Sequence, residues 1–436
     1  MREGLRNIAV IPELRRRLLF TLLLLTVYRV GAHIPIPGIN TAALASFFAQ
    51  VEGTLLSFVD MFSGGALKRM TIFALGIMPY ISASIILQLL TVVVPHLEKL
   101  SKEGELGRRK ITQYTRYLTV VLAAIQSFGI SIGLESMRGP AGEAVVPLPG
   151  WDFRIMTVLT MTSGTAFIMW LGEQISERGI GNGMSLLIFA GIVTEIPGAV
   201  FSTLSLAKAG ELGPLIILFL MIFMVAVVGV IIFLERGQRR IPVQYAKRLV
   251  GRRIYGGQST HLPLKVNTSG VIPPIFASSI LVFPATVANF INNPVAKGVS
   301  NFLNPGGVVY NLLYVAFIIF FCYFYTAVVF NPVDVADNMK KYGGFIPGIR
   351  PGKKTAEFID RVLSRITLGG ALYLSAISIL PTLLIRGFNV PFFFGGTALL
   401  IVVGVALDTA SQAEAHMLQR HYEGFLKKAR IRGRRG

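Results

Sequence analysis

Ten long apolar runs, set apart by turn-rich or charged segments, organise this chain. They lie near 18–34, 72–94, 117–134, 155–172, 182–200, 214–234, 270–291, 308–330, 366–385 and 391–410. A helix needs roughly 20 apolar residues to cross a bilayer, so each run predicts a span. The fold class that follows is all-α and polytopic, with ten transmembrane helices. Residues 35–71 interrupt the rhythm, staying apolar and Gly-rich through Phe58, Met61, Phe62, Gly64 and Gly65 before Lys68 and Arg69. Such a stretch either re-enters a cavity lined by protein or water, the only setting that tolerates irregular backbone at membrane depth, or packs as a surface loop.

Two further segments are longer than span connection requires. Within 235–269, the flanks Ile241–Tyr245 and His261–Val266 alternate loosely at period two, which predicts an extended hairpin-like arm with a basic tip. Within 331–365, Asn331 and Pro332 open a short helix with Asp334 and Asp337 early and Lys340 and Lys341 late, a charge order that suits the helix dipole. Gly343 and Gly344 stop it. Thr355 is placed to cap a second helix leading into the ninth span. Between them, the turn Pro347–Gly352 restricts Arg350, which on spacing alone reads as an ordinary exposed arginine.

Charge then orients the chain. Of 436 residues, 42 are Lys or Arg against 22 Asp or Glu, a net charge of +20, and the basic residues crowd into alternate connections. Ten spans place both termini on one side, and the positive-inside rule makes that side the cytoplasm. Arg15, Arg16 and Arg17 precede the first run without a small-residue cleavage site, so that run reads as a retained span. Inside the runs, ionisable residues are scarce: Arg29, placed to snorkel outward, with Glu195 and Asp408 near span ends. Intramembrane charge marks ion and proton pathways, so ion coupling is not expected and the driving force must come from outside the membrane. The basic segments suit a docking driver, anionic lipid or RNA phosphates. They include Arg239, Arg240, Lys247, Arg248, Arg252 and Arg253 in the arm, and Lys427, Lys428 and Arg430 in the tail.

Candidate chemistry is sparse. Pro79, Ser82, Ser84 and Gln88 interrupt one span, and Pro273, Pro274, Ser278 and Ser279 another in the opposite half, which points to a site between halves. Gly179–Gly183 resembles a phosphate loop only superficially, since no strand precedes it. The single cysteine, Cys322, lies in a span, and His416 and His421 have the wrong spacing for a helical ligand pair. The sequon Asn267-Thr268-Ser269 faces the cytoplasm and is an accidental match. No hydrolase or metalloprotease motif occurs, so neither a cofactor, a metal nor an enzymatic activity is expected.

Several runs resemble a known family: Ala74–Leu90, Gly181-Asn-Gly183, His261–Asn267, Gly348–Gly352 and the tail around Leu426–Lys428. Together they are similar to the SecY/Sec61-alpha family, the central subunits of protein-conducting channels, nearly end to end and in order. The resemblance implies two inverted five-helix halves, 1–210 and 211–410, around an hourglass pore, followed by a basic tail, 411–436. It implies an apolar pore ring of Ile77, Ile81, Ile188, Ile275 and Ile401. A plug would span Phe62, Ser63, Gly64, Gly65, Ala66, Leu67, Lys68, Arg69 and Met70, and a lateral gate would carry Ser82, Gln88, Ser279 and Phe283. The arms, with Arg350 foremost, would dock the SecA motor and the translating ribosome. SecE and SecG small subunits, signal peptides, nascent polypeptides and anionic lipids complete the implied partners, in a bacterial plasma membrane. The implied function is translocation of unfolded, signal-bearing polypeptides with lateral release of transmembrane segments. A small-solute secondary transporter is the alternative, and would require polar or ionisable residues concentrated at mid-membrane.

Overall fold

The computed structural model describes residues 12–50, 60, 63–139, 142–208, 213–245, 248–250, 253–255, 259–290, 298, 307–388 and 396–429. The elements run α1 Pro12–Gly31, α2 Thr41–Gln50, α3 Met78–Val93, α4 Pro95–Lys102, α5 Glu105–Ser136, α6 Trp151–Arg178, α7 Gly183–Lys208 and α8 Pro214–Arg236. Then follow strands β1 Gln238–Tyr245, β2 Arg248–Val250, β3 Arg253–Tyr255 and β4 Ser259–Lys265. After these come α9 Ile272–Phe290, α10 Val308–Val329, α11 Pro332–Lys341, β5 Gly344–Phe345, α12 Lys353–Phe388 and α13 Thr397–Ala429. Among the described residues, α5, α6, α8, α10, α12 and α13 are long and apolar enough to cross a membrane. The pair α3 and α4 makes a seventh candidate, bent by 99°, and α7 and α9 contain shorter apolar stretches, Gly183–Gly198 and Ile272–Leu281.

Local chemistry sets the boundaries. The second apolar run was expected to be helical from 72, but Ile72–Ile77 form turns and α3 starts at Met78. Gly76 sits at φ +55 and Pro79 occupies the first turn of α3, where a missing N–H costs nothing. At the other end, Pro95 forces Val94 into an extended conformation (φ −95, ψ 113), which makes the sharp bend. Asn331 caps α11 as its sequence predicts, accepting from the Val333 N–H at 3.0 Å. Thr355 does not cap α12, which begins two residues earlier. Its hydroxyl instead donates to the Arg350 carbonyl at 2.9 Å, closing the turn.

The chain divides into two compact units. One comprises Met1–Ser205, Val282–Pro305 and Ile401–Gly436; the other comprises Leu206–Leu281 and Gly306–Leu400. In the first, Ile36, Leu44, Phe48, Leu67, Met70, Leu75, Leu134 and Met161 belong to one buried cluster. In the second, β1 pairs antiparallel with β4 from Gln238↔Lys265 to Gln244↔Ser259, forming the expected arm, and β2 pairs with β3 beyond it.

Candidate functional site

The segment that follows α2 is enclosed by protein rather than laid on a surface. Ser63, Gly64, Gly65, Ala66, Leu67 and Met70 are buried, while Lys68 and Arg69 are exposed. Asp60, also buried, organises the backbone: one carboxylate oxygen accepts from the Lys68 N–H at 2.9 Å and from the Ser63 hydroxyl at 3.2 Å. The Ser63 hydroxyl in turn accepts from the Leu67 N–H at 3.1 Å. Burial pushes the Asp60 carboxyl above the ordinary carboxylate range, opposed by the Lys68 N–H and ammonium and reinforced by the charge of Glu195.

Two residues of α1 hold this segment. The Tyr28 hydroxyl donates to the Ser63 carbonyl at 3.2 Å, and the Arg29 guanidinium donates to the Gly64 carbonyl at 3.0 Å. Arg29 therefore turns inward onto protein, against the expectation that it snorkels, because a buried backbone carbonyl lies within its reach. Glycine is required at 64. Its φ is +66, and a Cβ there would lie 2.8 Å from the Gly191 Cα of α7. A Cβ on Gly65 would meet the Glu195 carboxylate at 3.0 Å. Met70, at φ +45, is a strained non-glycine residue where the segment leaves toward α3, held by the Ile36 N–H donating to its carbonyl at 2.9 Å. Nothing in the sequence marked Asp60 or Glu195 as partners of this segment, because their roles depend on a fold-back that local spacing does not encode.

The five isoleucines expected to form a ring are all buried: Ile77 at the N-cap of α3, Ile81 one turn later, Ile188 on α7, Ile275 on α9 and Ile401 on α13. Of the expected gate residues, Ser82 is half-buried on α3. Gln88 donates its amide to the Ser84 hydroxyl at 3.3 Å, while its amide oxygen is buried with no partner among the described residues. Ser279 bonds back to the Ile275 carbonyl at 2.8 Å within α9. The side chain of Phe283 and the placement of Phe62 lie outside the described residues.

Of the expected docking residues, Arg239 and Arg240 lie on β1 and Arg350 in the turn after β5, all in the second unit. β5, which the sequence did not reveal, pairs with β1 through Gln244↔Phe345 and Tyr245↔Gly344, giving the sheet order β4-β1-β5. The sheet thus joins the hairpin arm to the segment bearing Arg350. Beneath it, Ile241, Leu264, Ile346 and Ile359 form a small buried core that also takes Phe358 and Val362 of α12. Gly348 (φ +80) and Gly352 (φ +97) bracket Arg350 in conformations that glycine adopts without strain, and the Thr355 hydrogen bond locks the turn. Arg239, Arg240 and Arg350 are exposed, and none is in an ion pair among the described residues. Lys247 and Arg252, and the side chains of Arg248 and Arg253, lie outside the described residues.

The glycine-rich loop before α7 is no anion cradle, because its N–H groups are spent within the protein. Ile180 donates to the Thr21 hydroxyl (3.1 Å), Gly181 to the Gln412 side-chain oxygen (3.0 Å) and Gly183 to the Ser176 hydroxyl (2.9 Å). A Cβ on Gly183 would lie 1.9 Å from the Gly172 carbonyl oxygen.

The SecY family model matches residues 71–410. Protein translocase subunit SecY of Escherichia coli (strain K12) is 55% identical over 97% of this chain and 96% of its own. Two solved structures share the fold at lower identity. One, of a SecY translocation channel whose plug domain stabilises the closed state, has a TM-score of 0.62 at 18% identity over 92% of each chain. The other, Sec61 in a canine ribosome-channel complex from the endoplasmic reticulum, has a TM-score of 0.58 at 16% identity over 92% of each chain. These relatives give the small-solute transporter reading no support. The chain belongs to the SecY family: it is a multi-pass membrane subunit of a protein-conducting channel and not an enzyme.

Proposed function

We propose that the chain is a passive conduit of ten spans in two inverted halves, through which unfolded, signal-bearing polypeptides cross a bacterial plasma membrane. A ring of Ile77, Ile81, Ile188, Ile275 and Ile401 closes around the substrate. Flexible aliphatic walls fit any side chain and dewet when empty, so they seal without selecting. Residues 62–70 act as the plug on the external side of that ring. Transmembrane segments leave sideways between α3 and α9, past Ser82, Gln88, Ser279 and Phe283. The buried amide oxygen of Gln88, without a partner among the described residues, supports a seam that exchanges polar partners as it opens.

The arms dock the cytosolic SecA motor or a translating ribosome through Arg239, Arg240, Lys247, Arg248, Arg252, Arg253 and Arg350, while SecE, SecG and anionic lipids complete the assembly. The ribosome-bound Sec61 structure supports the ribosome as a partner. The observation that carries the channel reading furthest is the enclosed segment Ser63–Met70, tied to α1 by Tyr28 and Arg29 yet built from turns and a bend beyond Ser63. A sealed position with few regular hydrogen bonds is what a removable stopper requires. A photo-crosslinker at Ile81 or Ile275 tests it: a stalled secretory precursor should label both positions, and absence of labelling at either would overturn the pore assignment.

A further inference from the structure

At the root of the hairpin arm, the two legs close on a polar clasp. The Val266 N–H donates to the Gly237 carbonyl at 2.9 Å, directly below the Gln238↔Lys265 pair. One residue on, the buried amide of Asn267 donates to the carboxylate of Glu235, in the last turn of α8, at 2.6 Å. The same amide nitrogen donates to the Gly270 carbonyl at 3.0 Å, and the amide oxygen accepts from the Ser269 hydroxyl at 3.2 Å. Gly270, at φ +64, turns the chain straight into α9, which starts at Ile272. The backbone here also lies against α12, since a Cβ on Gly370 would sit 2.8 Å from the Val266 carbonyl oxygen. The sequon residues Asn267, Thr268 and Ser269 are thus structural: Thr268 also bonds back to the Lys265 carbonyl at 3.0 Å.

We infer that Asn267 is a positioning residue that passes a load from the docking arm to α9, the helix bearing Ile275 and Ser279. The inference rests on the proposed docking role of the arm and the proposed gating role of α9. Only an amide fits the place. It donates to a carboxylate and a carbonyl with its nitrogen while accepting a hydroxyl with its oxygen, a set that neither aspartate nor an aliphatic side chain supplies. A hydrogen bond to a charged acceptor is stronger than a neutral one, so the clasp makes the arm root and the start of α9 move together. The β1–β4 ladder and the core under the sheet, which shape the docking face, do not involve Asn267.

The test uses the channel reconstituted with its partner subunits in proteoliposomes, and measures motor binding at equilibrium separately from ATP-driven import of an unfolded secretory precursor. Asn267→Ala should bind the motor within about two-fold of the parent, yet import roughly ten-fold more slowly, the size of a ~1.4 kcal/mol coupling. Glu235→Gln keeps an acceptor for the amide but not its charge and should import at a rate between the parent and Asn267→Ala, whereas Glu235→Ala should reproduce the Asn267→Ala split from outside the arm. Import by both alanine variants at the parental rate would overturn the inference. So would an equal loss of binding and import, which would mark the clasp as mere scaffolding of the arm. Arg350→Glu separates the two readings, since it should lose motor binding itself; unchanged binding there would overturn the docking assignment and leave the clasp to be judged on import.

Discussion

Asp60 shows how much one buried carboxylate can govern. It closes the turns of the 60–71 segment through Ser63 and Lys68, and burial, more than any other influence, holds its proton above the ordinary value of 3.8. A proton bound more tightly in the packed segment than in a freed one stabilises packing most at low pH. That contribution is full below 3.8, fades as pH rises through the raised value, and stays absent above it. Ion leak through the closed channel should therefore grow across that window in the parent. In Asp60→Asn, which keeps an oxygen for the Lys68 N–H but cannot titrate, the leak should be flat; planar-bilayer conductance against external pH measures both. A sloping profile in the variant would place the titrating group elsewhere. Sequence patterning did not single out Asp60, since an isolated acid in an apolar, Gly-rich stretch carries no periodic signal. Arg29 was visible for the converse reason, as a charge inside an apolar run, but its inward partner was not.

Elements that depend on local periodicity and punctuation were legible, and those made by distant pairing were not. The hairpin arm followed from alternation in Ile241–Tyr245 and His261–Val266, and the α11 cap from Asn331 and Pro332. β5 escaped because a two-residue strand has no pattern of its own and exists only against Tyr245 and Gln244 of β1. The same contrast covers the candidate site. Glycines at 348 and 352 were readable as a turn, whereas the attachment of the 60–71 segment to α1 required the fold. That attachment predicts an effect at the scale of elements. Arg29→Met keeps an apolar stem on α1 but removes the donor to the Gly64 carbonyl, a loss of about 1.5–3 kcal/mol for a charged hydrogen bond. Idle channels carrying it should open about ten- to hundred-fold more often in single-channel recordings, with helical content by circular dichroism unchanged. Parental opening would show that Tyr28 alone suffices.

Across the molecule, the charge imbalance of +20 is not spread evenly: Arg239, Arg240 and Arg350 stand exposed around the β4-β1-β5 sheet. Charges presented this way act on a polyanionic partner through counterion release, so ribosome affinity for the reconstituted complex should fall linearly with the logarithm of salt concentration. Replacing Arg239 and Arg240 by Gln should shallow that slope by about 1.4–1.8 if both meet phosphates; an unchanged slope in a binding titration would remove them from the ribosome contact. The helical class and the six long apolar helices found among the described residues were readable because apolar run length is dictated by the bilayer itself. How the first and last helices join the glycine-rich loop was not, since those bonds reach across 159 residues to Thr21 and 231 residues to Gln412. The second of these carries a consequence for biosynthesis. The buried Gly181 N–H has no native acceptor until Gln412 has been made, and a buried backbone donor left unpaired is costly. The first compact unit is thus completed only after the second has been made, and a chain that stops short of Gln412 leaves this joint open.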